Sequence, residues 1–156
     1  MTQRQIEILL VEDNQDDIEL TLHALRKENL ANQIHVCRDG EEALEFLFCT
    51  GSHSDRSFDQ PPRLVLLDLK IPKVDGLEVL KRLKSDPRTK AIPVVILTSS
   101  KEERDVVSSY GLGANSYIQK PVDFEQFRET VKSAGFYWLL INQAPVAVAA
   151  AQSAAQ

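Results

Sequence analysis

The sequence predicts a single open α/β domain built on a parallel sheet, and two observations carry that prediction. Strand-like apolar runs alternate with helix-like patterns five times along the 156 residues. The most apolar runs also end on residues able to do chemistry: Ile8-Leu9-Leu10-Val11 on Glu12 and Asp13, and Leu64-Val65-Leu66-Leu67 on Asp68. Parallel strands gather their carboxyl ends at one edge, where ligands bind. Three carboxylates therefore converge there.

In chain order, the strands fall at Ile6–Val11, Gln33–Cys37, Arg63–Leu67, Pro93–Leu97 and Ser116–Gln119. The first, third and fourth are continuously apolar, as strands covered on both faces are. The second and fifth are mixed and suit the edges. A first helix runs Gln15–Glu28. Three further helix starts carry an acid or hydroxyl followed three residues later by Glu or Gln, the capping-box signature. They are Asp39 with Glu42, Ser100 with Glu103, and Asp123 with Gln126. The helix Gly76–Lys84 turns Leu77, Leu80 and Leu83 to the sheet, and Asp86-Pro87 stops it. In the last helix Phe124, Phe127 and Val131 form the inward stripe.

Two segments exceed a minimal five-unit domain. Thr50 to Pro62 is a polar, turn-rich loop, long enough to be functional or mobile. Residues 144–156 form a low-complexity tail of Ala, Gln, Ser and Val, which leaves residues 1–143 as the domain with its C-terminal extension. There is no internal repeat beyond the alternation itself.

Composition removes several function classes. Hydrophobic residues make up 43% and charged residues 26%, the balance of a folded chain. A net charge of −5 argues against a general nucleic-acid footprint. Cys37 and Cys49 share no metal-type spacing, and reduced thiols in a cytoplasmic protein are expected. The polar Met1–Gln5 opening is no signal peptide, and Phe136–Ile141 is far short of the ~20 residues that span a bilayer. His23, His35 and His53 are scattered over a helix, a strand and a loop and read as structural.

Carboxylates packed that closely repel unless they share a cation or a proton. A magnesium site around a nucleophilic Asp68 meets the requirement, with Asp13, Asp68 and a carbonyl just after Asp68 as an open half-shell and Glu12 beside it. Thr98 ends the fourth strand and Lys120 follows the fifth, so a hydroxyl and an ammonium complete a phosphate cradle at the same edge.

With these residues placed, the chain resembles the receiver domain of two-component response regulators over about Ile6 to Gly135. Leu9-Leu10-Val11-Glu12-Asp13-Asn14 resembles the acidic opening motif. Leu66 to Pro72, with Asp75-Gly76, resembles the phospho-acceptor motif. Thr98-Ser99-Ser100 and Tyr117-Ile118-Gln119-Lys120-Pro121 resemble the switch and closing motifs. The resemblance implies a flavodoxin-like (CheY-like) fold of strand order 2-1-3-4-5. It implies phosphorylation of Asp68 by a sensor histidine kinase, with Mg2+ required and Mn2+ a possible substitute. Metal ligation falls to Asp13, Asp68 and the main-chain oxygen of Lys70, with Glu12 direct or through water. Thr98 and Tyr117 become a switch pair, and the Lys120-Pro121 bond becomes cis. The Lys70 side chain projects near the phosphoryl group and tunes its lifetime; Ser100 shares that role or simply caps its helix.

The long Thr50–Pro62 loop, Phe136-Tyr137-Trp138-Leu139 and Pro145 resemble the stand-alone cyanobacterial phytochrome response regulators. That resemblance implies a phytochrome-type kinase partner and a homodimer through the fourth and fifth units and the Phe136–Leu139 region. The aromatic cluster itself favours an interface. An unidentified downstream protein would receive the signal by contact, with no nucleic acid or membrane engaged. Two rivals stand beside this reading: a phosphate-independent adaptor on the same fold, and a haloacid-dehalogenase-type hydrolase. The hydrolase generally wants a second acid where this chain has Lys70.

Overall fold

The computed structural model describes residues 8–26 and 34–134. Strands and helices alternate strictly: β1 (Ile8–Val11), α1 (Gln15–Arg26), β2 (Ile34–Cys37), α2 (Gly40–Phe48), β3 (Leu64–Asp68), α3 (Gly76–Ser85), β4 (Val94–Thr98), α4 (Lys101–Ser109), β5 (Ser116–Gln119) and α5 (Phe124–Ser133). The five strands form one sheet in the order β2-β1-β3-β4-β5, every pairing parallel. This is the doubly wound, flavodoxin-like order expected, with the mixed strands at the edges. The expected ends at Ile6, Glu28 and Gln33, the Phe136–Leu139 cluster, Pro145, the boundary after residue 143 and the tail lie outside the described residues.

Side chains alternate between the two faces of a strand, so each continuous apolar run feeds two cores. Leu9, Val11, Val65, Leu67, Val94 and Ile96 join Phe46, Leu80 and Leu83 on one face. Ile8, Leu10, Leu64, Leu66, Val95 and Leu97 join Ile18, Leu25, Phe127 and Val131 on the other. Polar residues inside these runs would have broken one of the two cores.

All three expected N-caps are present, while the Glu or Gln three residues on turns to an amide before the cap rather than to the cap itself. Asp39 accepts from the Glu42 amide, Ser100 from Glu103 and Asp123 from Gln126. A fourth, Asp75 accepting from Glu78, heads α3. Each such cap contributes about 1 kcal/mol. Glycine follows two of the caps for a steric reason. A Cβ on Gly76 would sit 2.4 Å from the Asp68 carbonyl oxygen, and one on Gly40 would sit 1.8 Å from that of Val74. The β3–α3 loop is thereby folded tightly against the strand end that carries Asp68.

Two expectations are corrected. Asp68 is the last residue of β3 rather than the first beyond it, whereas Thr98 ends β4 as expected. In α3 the fully buried stripe is Val79, Leu80 and Leu83, with Leu77 only partly buried at its margin. The Thr50–Pro62 loop is tied down: Arg56 donates to the Phe46 carbonyl at 2.8 Å and to that of Gln60 at 3.1 Å. Its guanidinium also covers the Phe46 ring at 3.7 Å. No helix among the described residues is long and apolar enough to cross a membrane.

Candidate functional site

Strand register decides which side chains meet. Val11 lies beside Leu67, Asp68 beside Leu97, and Thr98 beside Gln119. The residues that follow β1 and β5, Glu12 and Lys120, therefore emerge at the edge where β3 and β4 end in Asp68 and Thr98. A hydrogen bond from the Lys120 amide to the Thr98 carbonyl, 2.7 Å, extends the last pairing to the site itself. The Lys120–Pro121 peptide is cis.

Lys120 is the hub. Its Nζ lies 3.4 Å from Glu12 Oε1, 3.3 Å from Asp68 Oδ2 and 3.1 Å from Asp17 Oδ2. Burial works against its ammonium, but the hydrogen bond to Asp17 and the charges of Asp68 and Glu12 outweigh that and raise its pKa. Glu12 and Asp68 are 0% and 3% exposed. Loss of solvation, with the Asp68 charge adding to it, pushes Glu12 up to about 7. Loss of solvation also raises Asp68, although Lys120, Glu12 and the Lys70 backbone N–H all stabilise its carboxylate. One lysine does not neutralise this cluster.

The carboxyl oxygens of Glu12, Asp13 and Asp68 lie within 4.8 Å of one another. An all-oxygen set of this kind, two of its members desolvated, fits a hard divalent cation such as Mg2+ or Mn2+. These three would hold it. When bound, such an ion would neutralise charge on transferring phosphoryl oxygens.

Asp17 was missed in the sequence. It sits in the first turn of α1, where acids are common because they suit the helix dipole, and Asn14 fixes it there by capping: the Asp17 amide donates to Asn14 Oδ1 at 2.9 Å. Thr98 is buried at 1% exposure, its hydroxyl 3.5 Å from the Ile118 carbonyl oxygen. Tyr117 is turned toward α4 and accepts a hydrogen bond from Ser108 at 3.1 Å, with the Arg104 guanidinium 5.2 Å from its ring. The Lys70 ammonium is 80% exposed and pairs with Glu103 on α4 at 3.6 Å. Ser100 is a helix cap. The edge thus brings together Glu12, Asp13, Asp68 and Lys120 in direct reach, holds Thr98 beside them, and sets Tyr117 and Lys70 on the path to α4.

Comparison with known proteins agrees with this geometry. The response regulator receiver domain model matches residues 8–132. The "Probable methanogenesis regulatory protein FilR2" of Methanothrix harundinacea is 43% identical over 88% of this chain and 86% of its own. Response regulator Rcp1 of Synechocystis is 38% identical over 90% and 93%. Among solved structures, the bacteriophytochrome response regulator AtBRR is 52% identical with a TM-score of 0.81, covering 90% of this chain and 100% of its own. The phosphorylated cyanobacterial phytochrome response regulator RcpA is 39% identical with a TM-score of 0.69, covering 90% and 97%. The Mn2+-bound form of Rcp1 is 38% identical with a TM-score of 0.69, covering 87% and 95%.

Proposed function

This chain belongs to the response regulator receiver domain family, and we propose that it takes a phosphoryl group on Asp68 from a sensor histidine kinase of the phytochrome type. The observation that carries the reading is the Lys120 ammonium held within 3.4 Å of two buried acids, Glu12 and Asp68, at one sheet edge. In the transfer, a carboxylate oxygen of Asp68 bonds to phosphorus as the P–N bond of a phosphohistidine breaks, and the histidine nitrogen keeps the electron pair. Asp68 is suited to this because burial strips its solvation and the Lys70 N–H orients it.

Lys120 then exchanges its contact with the carboxylate for one with a phosphoryl oxygen, and Thr98 donates its hydroxyl to another. Asp13, Asp68 and the Lys70 carbonyl would hold Mg2+, with Glu12 ligating directly or through water, and Mn2+ could substitute. The chemistry stops at phosphotransfer and self-dephosphorylation, so the protein is a switch rather than a conventional enzyme. Movement of Thr98 makes room for Tyr117, and the surface around α4 and β5 changes.

That surface would carry the message by protein–protein contact in the cytoplasm, including a homodimer through the fourth and fifth units and Phe136–Leu139. On α4 Val106 is 53% exposed, and Tyr110 at its C-cap is 60% exposed, the apolar character such an interface needs. Timed transfer of labelled phosphate from phytochrome-type kinases tests the partner. Label that reaches the native chain and not Asp68→Asn supports the proposal; unlabelled protein with every such kinase contradicts the pairing. Sedimentation of Trp138→Ala beside the native chain tests the dimer, and an unchanged monomer–dimer balance counts against it.

A further inference from the structure

On the opposite flank of the sheet, three residues far apart in sequence meet. His35 is in the edge strand β2, Glu42 in the first turn of α2, and His53 in the short 3-10 turn of the Thr50–Pro62 loop. The geometry points to a second metal site here, in which His35, Glu42 and His53 take one zinc ion and pin the long loop to the edge strand and α2.

Glu42 Oε2 lies 4.0 Å from His35 Nε2 and 3.7 Å from His53 Nε2, and the three donor atoms fall within 4.8 Å of one another. Zinc bonds of about 2.0–2.1 Å in a tetrahedron separate neighbouring donors by about 3.3 Å, so small side-chain rotations close the set. Two histidines and a glutamate leave a fourth position for water.

Three further features suit a ligand. His35 Nε2 is sealed from solvent with no hydrogen-bond partner among the described residues, an uncommon state for a buried polar atom. The imidazoles are held by packing. His35 stacks on Phe46 with centroids 4.6 Å apart, and His53 stands edge-on to both rings at 5.3 and 5.1 Å. Glu42 is divided in use: Oε1 accepts from the Arg38 amide at 3.3 Å, which orients Oε2 toward the histidines.

The donor set also selects the metal. A single carboxylate offers a hard cation few oxygen donors, whereas two imidazole nitrogens suit Zn2+. The two metal sites thus differ in kind, and the zinc reading stands independently of the role of Asp68.

Chelator-stripped full-length protein, with the acid cluster filled by millimolar Mg2+, should take up one equivalent of Zn2+ by calorimetry. The 15N–1H signals of His35 and His53 should shift while those of His23 stay. Orienting residues around metals cost about 10–100-fold in affinity when lost, so His53→Ala and Glu42→Gln should each weaken Zn2+ by at least about tenfold. Glutamine keeps the helix-capping role at position 42, and circular dichroism checks that both variants fold. Asp13→Asn should leave the zinc affinity unchanged. No uptake by the native chain, equal affinity in His53→Ala, or loss in Asp13→Asn alone would each overturn the proposal.

Discussion

Helices α3 and α4 pack against the same face of the sheet, yet they are held in different ways. From α3, Val79, Leu80 and Leu83 are all fully buried, and Lys84 reaches past the helix end to the carbonyls of Lys90 at 3.0 Å and Ile92 at 2.6 Å. From α4, Val107 alone among the described residues joins that core, while Val106 and the C-cap residue Tyr110 are more than half exposed. What holds α4 is polar and local: Ser100 at its cap, Lys70 against Glu103, and Ser108 on Tyr117. Burial is worth far more than exposed polar contacts. A charge change at Asp68 therefore meets a rigid wall on the α3 side and a displaceable element on the α4 side.

The largest effect is expected for Leu83→Ala, which should cost about 2–5 kcal/mol in urea unfolding, the range for leucines lost from tight cores. A cost near zero would mean that α3 is no better anchored than α4. The acid site can be perturbed without touching either helix. Glu12, raised from 4.5 to about 7, keeps a proton below neutrality in the folded chain, and a cation binding its carboxylate would have to displace it. Mg2+ affinity, read by titration, should thus rise by up to about tenfold per pH unit from below neutrality and level off above about pH 7.

A smaller effect separates the helices directly. Ser100→Ala removes the α4 cap, so stability should fall by about 1 kcal/mol. Hydrogen exchange should quicken in α4 first and leave α3 protected; uniform acceleration would refute the distinction. Lys70→Ala should cost well under about 1 kcal/mol, because its ion pair with Glu103 is largely exposed.

The sheet was legible in the sequence because buried parallel strands need unbroken apolar runs, and the acid edge was legible because those runs end on acids. Asp17 was not: an acid in a first helical turn looks like dipole compensation, and only the α1–β5 geometry turns it toward Lys120. The histidine cluster was hidden for a related reason, since its members are brought together by tertiary packing and share no sequence spacing. Leu77 looked like core by periodicity, but the rotation of α3 that seats Gly76 on the end of β3 gives the deeper place to Val79.

One measurement bears on Asp68 most directly. The native chain and Asp68→Asn are each incubated with a small phosphodonor, with and without Mg2+, and their intact masses recorded before and after brief acid or alkaline treatment. With Asp68 as acceptor, the native chain gains one labile phosphoryl group, dependent on Mg2+ and absent from Asp68→Asn. A well-folded native chain that acquires none, or a variant that acquires it equally, would contradict Asp68 as the acceptor.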